Sequence, residues 1–597
     1  MIRHRILSPA CCIALGAAFA APSGFSAAAQ DYERVAPREP AAPARPPAFV
    51  PPAPSLPSVA APERILLPTL RGLKLVGDPA RLERNGADGE GVMIDGLPMM
   101  DAPEIRARLA AFVGARLTFG GLDDITQIVI GWYRDHDHPF VDVAFPEQDI
   151  STGVIQGVVT EFRVGAIKVQ GNQWFSSALI ANALRVAPGD PIDAKRLQDD
   201  IAWLNQNPFR QVTVLAERGE APATTDLVLD TADRFPLRVY GGYDNTGTPV
   251  LGHDRWNLGV NWGNAFWQDQ QLSYQFTSSN DFWHHRADIP GRPGGPAFVA
   301  HAVSYVAPLP WRDKIGIFGS YSEAVPRLGP DLGLTGISGQ ASVRYIVPLP
   351  GFADIVHQLQ IGYDFKTSNN NLEFGGLLVS NVTTEVDQFP LIYDLTATDA
   401  WGRTTVQNSL VFSPGNLTAG DKDAAYQAQS GSSFAKAKYV YDTLRVTRTT
   451  RLPEDASWVM RVIGQLSDRN LIPSEQLGAG GFDSVRGYDE RAANGSVGVL
   501  VTEELRTPPF RPVKLLGGGE IGEEAQLLAF WDFASVREKQ TAPGAHSSTQ
   551  LSSVGLGMRY TIARYFDFRL DYGWQLRKPP GAASRSQMGH IAVTASY

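Results

Sequence analysis

The sequence predicts a transmembrane β-barrel of 16 antiparallel strands, preceded by two small α+β modules. Beyond residue 235, apolar and polar side chains alternate in runs of about ten residues, the strand signature of a lipid-embedded barrel. Gly, Asn, Asp, Ser and Pro clusters separate these runs. Helical periodicity is confined to residues 65–233, where one order of elements occurs twice. No apolar run in the body of the chain reaches the ~18 residues of a spanning helix.

Residues 1–29 read as a secretory signal. Arg3, His4 and Arg5 precede an apolar stretch from Cys11 to Ala20, and small-residue cleavage candidates follow. The two cysteines, Cys11 and Cys12, both lie in this segment. The exported chain is therefore expected to carry no disulfide, thiolate metal site or cysteine nucleophile. Residues 30–64 form a Pro/Ala-rich linker, "VAPREPAAPARPPAFVPPAPSLPSVAAPER" in its main part, which favours an extended backbone. The net charge of −9 argues against a nucleic-acid partner.

The first module is assigned to residues 65–161 and the second to residues 162–234. Helices are expected over 102–114 and 122–136, with strands in "PFVDVAFP" and "VIQGVVTEF". The second module repeats the order: a strand at 162–171, helices in "SSALIANAL" and "DAKRLQDDIAWLNQ", then strands in "RQVTVLAER" and "TDLVLDTAD". The polar "RDHDHPF" between helix and strand reads as a turn rather than a metal site, as does the loop pair His284–His285.

The barrel is assigned to residues 235–597. Its strands are expected to start near 237, 254, 270, 296, 314, 338, 356, 384, 402, 433, 456, 496, 526, 551, 566 and 589. In "FDFRLDYGW" the odd face carries Asp567, Arg569 and Asp571, and the even face is apolar. Polar residues inward and apolar residues outward suit a water-lined barrel in lipid. Connections on the chain-entry side should be short and those on the far side long; residues 280–295, 324–337, 367–383 and 469–495 are the long ones. The 508–525 connection is long on the entry side and breaks this rule. Trp267, Trp311 and Phe352 fall at entry-side turns and read as interfacial aromatics.

The stretch "GGFDSVRGYDER", Gly480–Arg491, falls in a far-side connection. It contains Val485, Arg486, Gly487 and Tyr488. A guanidinium flanked by small and apolar residues would need carboxylate partners if the loop folded into the lumen. The alternation places Glu504, Phe530 and Asp532 on the inner face of the next two strands. A charge-assisted pair between Arg486 and Asp532 or Glu504 would pin the loop. No nucleophile elbow and no phosphate loop appears, so an enzyme, a cofactor or a metal is not expected.

These residues carry a resemblance. Val485-Arg486-Gly487-Tyr488 with Phe530-Trp531-Asp532 resembles the loop motif and its partner in the Omp85 superfamily. "GDPIDAKRLQDDIAWLNQNPFRQVTVLAERG" and "IGWYRDHDHPFVDVAFPEQDISTGVIQGVVTE" resemble two successive POTRA domains. Two such domains before a 16-stranded barrel are similar to the TpsB transporters of two-partner secretion, the haemolysin secretion/activation family. The resemblance implies an outer-membrane protein with periplasmic POTRA domains and a monomeric barrel. It implies capture of an unfolded, secreted TpsA-type exoprotein, haemolysin- or adhesin-like, and its passage through the barrel. The arginine loop would hold the barrel in a working conformation through Asp532. An assembly factor of the same superfamily is the alternative, and a porin or enzyme is further off. In this family an N-terminal helix can plug the pore, but residues 30–64 show no convincing helix.

Overall fold

The computed structural model describes residues 35–40, 62–249, 251–282, 296–326, 332–352, 354–374, 377–544, 548–578 and 586–597. The expected signal segment, most of the expected linker, His284–His285 and the Phe352 side chain lie outside the described residues or side chains. The chain divides into a unit ending at Phe235 and a unit running from Pro236 to Tyr597, to which residues 35–40 also belong.

In the first module a four-stranded sheet has the order Gly91–Asp95, Gly72–Val76, Val154–Glu161, Val141–Ala144. The central pair is parallel and the last pair antiparallel. Helices Pro103–Ala110 and Phe119–Asp135 pack on it. The second helix begins three residues earlier than expected, because Thr118 caps it by accepting from Gly121 N–H at 3.1 Å. The helix-weak "FGG" that follows masked this start in the sequence. Leu75, Ile105, Ile125, Val129 and Val159 are fully buried between sheet and helices.

The second module has a three-stranded sheet in the order Arg163–Gln170, Thr224–Asp233, Arg210–Arg218. Its helices, Ser177–Asn182 and Ala194–Leu204, are capped by Ser176 and Asp193. Asp200 is fully buried and accepts from Arg185 N–H and Nε, both at 2.7 Å. The "RDHDHPF" turn joins the two modules. Asp137 takes a positive φ of 63°, its carbonyl accepts from Ala194 N–H at 2.7 Å, and Phe140 packs against the second core.

The barrel closes with 16 antiparallel strands. They are β1 (Leu237–Asp244), β2 (Arg255–Ala265), β3 (Gln270–Ser279), β4 (Phe298–Pro308), β5 (Lys314–Ala324), β6 (Leu332–Phe352), β7 (Ile355–Phe374) and β8 (Leu377–Asp399). Then come β9 (Gly402–Ser413), β10 (Tyr439–Arg451), β11 (Ser457–Ser467), β12 (Val497–Arg506), β13 (Glu523–Arg537), β14 (Ser548–Ile562), β15 (Phe566–Gln575) and β16 (Gln587–Ser596). The seam pairs β1 with β16, from Tyr240↔Ser596 to Asp244↔Ala592. Alternation follows the expected faces: Leu570, Tyr572 and Trp574 are exposed outward, while Asp571 and His590 are buried inward.

Three expectations are corrected. The strand expected near 433 starts at Tyr439; residues 433–438 belong to a far-side loop that also contains helix Asp423–Ser430. Much of the expected loops 324–337 and 367–383 is strand, since β6, β7 and β8 run to 21, 20 and 23 residues. The Asn-rich run around residue 370 reads as a turn, yet the ladder continues past the ~9–11 residues that lipid requires. The third correction concerns the linker. Val35–Pro40 does not simply connect: it lies against the inner wall. Val35 packs on Ala300, Ala302 and Phe318, and Arg38 Nη2 meets Asp244 at 2.8 Å. Arg38 N–H donates to Tyr240 Oη at 2.8 Å, and Nη1 reaches Thr594. Proline-rich composition excluded a core, but not a segment held by a core already built around it.

Asp200→Ala leaves two Arg185 donors without their acceptor. It is expected to lower the stability of the second module by ~1–3 kcal/mol, read as faster limited proteolysis of residues 162–234 in the full-length protein.

Candidate functional site

The connection between β11 and β12 turns inward. Its stem forms a short antiparallel ladder, Leu477↔Gly495 to Ala479↔Ala493. Leu477, Val485, Tyr488 and Ala493 of the loop pack with Leu500, Ala534, Val536 and Leu551 of the wall. An apolar underside therefore seats the loop, and its polar tip meets the inner face of β12–β16.

Arg486 is 2% exposed. Its Nε and Nη2 donate to the two oxygens of Asp532, each at 2.8 Å, and its own N–H donates to Asp532 Oδ2 at 3.0 Å. Nη1 donates to Glu504 Oε1 at 2.6 Å and lies 3.5 Å from Asp571 Oδ1. The guanidinium stacks on the Phe530 ring, 3.6 Å from its centroid. The register explains the convergence. Thr502 faces Asp532 and Glu504 faces Phe530 across β12–β13, so Glu504 and Asp532 are diagonal neighbours on one face. The planar fork fits Asp532 bidentately, a geometry that lysine cannot reproduce. The three partners expected of Arg486, Glu504, Phe530 and Asp532, all touch it, and the neighbouring Val485 packs into the apolar cluster against the wall.

The backbone beside it is equally fixed. Gly487 has φ of 90°, and an added Cβ would lie 2.8 Å from the Gly573 carbonyl oxygen. Its N–H donates to His590 Nε2 at 2.9 Å, and its carbonyl accepts from Gln575 Nε2 at 2.6 Å. Tyr488 Oη lies 2.8 Å from the Ser552 carbonyl. The loop tip is therefore bound to β14, β15 and β16 as well as to β12 and β13.

Several of these partners were not singled out in the sequence. Asp571 holds Arg559 at 2.8 Å and Arg569 at 2.8 Å. Arg506 closes on the second oxygen of Glu504 at 2.6 Å. Arg569 stacks on Phe482 with its guanidinium 3.7 Å from the ring centroid and donates to the Phe482 carbonyl at 2.6 Å. Alternation marked Arg569 and Asp571 as inward, but which inward charges meet depends on the stagger between strands. Each carboxylate faces at least one guanidinium, so the cluster is balanced despite its burial. Removing a single member would leave an uncompensated charge.

The family model described as haemolysin secretion/activation protein ShlB/FhaC/HecB matches residues 357–560, which span β7 to β14 and include the loop. A POTRA model, described as surface antigen variable number repeat, matches residues 162–231. Over residues 357–560 the chain is similar to the haemolysin secretion/activation family. Among similar proteins, outer membrane transporter CdiB-2 of Burkholderia pseudomallei is 21% identical over 522 residues, covering 84% of the chain and 82% of the relative. Outer membrane transporter CdiB of Dickeya dadantii is 24% identical over 514 residues, covering 81% and 84%. Heme/hemopexin transporter protein HuxB of Haemophilus influenzae is 21% identical over 481 residues, covering 77% and 78%. The solved structure of CdiB from Escherichia coli superposes with a TM-score of 0.70 at 17% identity, covering 91% of this chain and 93% of that one. The fold is thus a 16-stranded barrel preceded by two α+β modules, the second of which matches the POTRA model.

Gly487→Ala forces a Cβ against Gly573 at a strained φ. The variant is expected to insert a normal barrel but release its loop tip, detected as new protease cleavage between Gly480 and Arg491 in intact cells.

Proposed function

We propose that this outer-membrane transporter captures an unfolded exoprotein in the periplasm and secretes it through the barrel, with the Arg486 loop holding the wall in its transport-competent arrangement. One observation carries the role of the loop: a single guanidinium gathers carboxylates from β12, β13 and β15. Three strands that otherwise pair only with their neighbours are thereby tied at one point inside the lumen. Buried charge pairs contribute uncertain net stability, but their loss is costly. That suits a part which sets a conformation rather than one which adds stability.

Capture is assigned to the POTRA domains. Strand Arg210–Arg218 ends the sheet of the second domain and offers a ladder edge to an extended chain. β-Augmentation of this kind binds through the main chain and tolerates varied sequence. The chain acts as a monomer in this reading, since every barrel strand finds both ladder partners within it. Val35–Pro40 occupies the lumen at rest and has to leave before a polypeptide passes.

Arg486→Ala leaves Asp532 and Glu504 buried without their shared cation. Secretion is expected to fall at least tenfold while barrel abundance in the outer membrane stays within a factor of about two. Wild-type secretion at normal abundance would refute the role of the loop. Deletion of the gene should remove one large exoprotein from the supernatant and leave other outer-membrane barrels unchanged; a general fall in those barrels would indicate an assembly factor instead.

A further inference from the structure

The loop that carries Arg486 has a second charged anchor on the opposite side of the lumen. Glu475, in its outer stem, is fully buried and accepts from Lys366 Nζ at 2.7 and 2.9 Å. Tyr441 Oη donates to the same carboxylate at 2.9 Å. Lys366 projects inward from β7, whereas Asp532 lies on β13, six strands further along the barrel order. The loop therefore spans the interior, bound at its tip through a cation and at its stem through an anion.

The stem does not stand alone. Leu471 and Ile472 pack with Tyr426 and Ala435 of the β9–β10 loop and with Tyr439 at the start of β10, and Ala435 bridges to Asn470. Helix Asp423–Ser430 of that loop reaches β7 as well, with Gln429 Nε2 donating to Ser368 Oγ at 2.9 Å. Lys366 and Ser368 are two apart on one inner face, so two far-side loops form one apolar body fastened to adjacent sites on β7. A polypeptide leaving through the lumen has to pass this body.

The two anchors differ in chemistry. Arg486 makes a planar, bidentate contact and touches carboxylates on three strands. Lys366 meets a single carboxylate through a point charge on a flexible stem. The strand ladders that hold β7 in place do not use the Lys366 side chain. Breaking the Lys366–Glu475 pair thus loosens the outer stem from β7 without dismantling the wall or the Arg486 cluster. We infer that Lys366 and Glu475 form a releasable latch that closes the outer mouth of the pore, with Tyr441 positioning the carboxylate. This rests on the transporter reading above.

The test uses purified full-length protein in planar lipid bilayers, without exoprotein. Lys366→Met and Glu475→Gln should each raise the open probability of the channel roughly fivefold or more, the low end of a two-state coupling. The exchanged pair Lys366→Glu with Glu475→Lys should return it towards wild type. Single variants that insert normally and conduct like wild type would overturn the latch. A second arm keeps the latch intact: Ser368→Cys with Gln429→Cys, joined by a short thiol cross-linker in secreting cells. Cys11 and Cys12 of the expected signal segment are the sole native cysteines. Cross-linking should stop secretion, and undiminished secretion by the joined protein would overturn the proposal even if the single variants failed to insert. Conductance is read without cargo, so failure of the latch is separable from failure of the transporter reading, which the exoprotein profile of the deletion strain decides.

Discussion

A barrel in lipid has to satisfy every backbone polar group within its own ladder, because the bilayer core offers no hydrogen-bond partner. That constraint governs the rest of the molecule. It forces closure of β1 on β16, and it sends charge and irregular backbone to the one place that tolerates them, the lumen. The buried arginines, aspartates and glutamates of the barrel lie inside the lumen for that reason. Once there, they are shielded from bulk water by loops and by one another, so each needs a partner of opposite charge.

The Arg486 cluster is the most developed answer to that need. Its carboxylates come from β12, β13 and β15, and its cation comes from the loop that leads into β12. The arrangement is specific because it is over-determined: Phe530 fixes the plane of the guanidinium, Asp532 its direction, and the Gly487–Gly573 approach its depth. An aromatic face, a bidentate carboxylate and a glycine pair each exclude a different error in the seating of the loop.

Much of this was legible in the sequence. Period-two alternation located all 16 strands in order, and the inward placement of Glu504, Phe530 and Asp532 followed from the same parity. Parity says which face a residue occupies but not its height in the barrel. Asp571, Arg559 and His590 were therefore not tied to Arg486, since that requires the register of several ladders at once. Local composition misled in two places. Asparagines suggested a turn where β7 and β8 continue, and prolines suggested a mere spacer where Val35–Pro40 binds the wall. For Val35–Pro40 the decisive contacts are long-range, and no window of sequence contains them; β7 and β8 instead continue as a hairpin down to Phe374↔Leu377.

The Val35–Pro40 segment has a consequence for the wall itself. Arg38 touches Asp244 and Tyr240 on the first strand and Thr594 on the last. Across that joint the ladder has five register pairs, against eight between β1 and β2. The segment is therefore a rivet across the sparsest junction of the hoop. Whatever draws it out of the channel also withdraws a fastening from the place where the cylinder was sealed, so clearing the passage and slackening its circumference are one mechanical event.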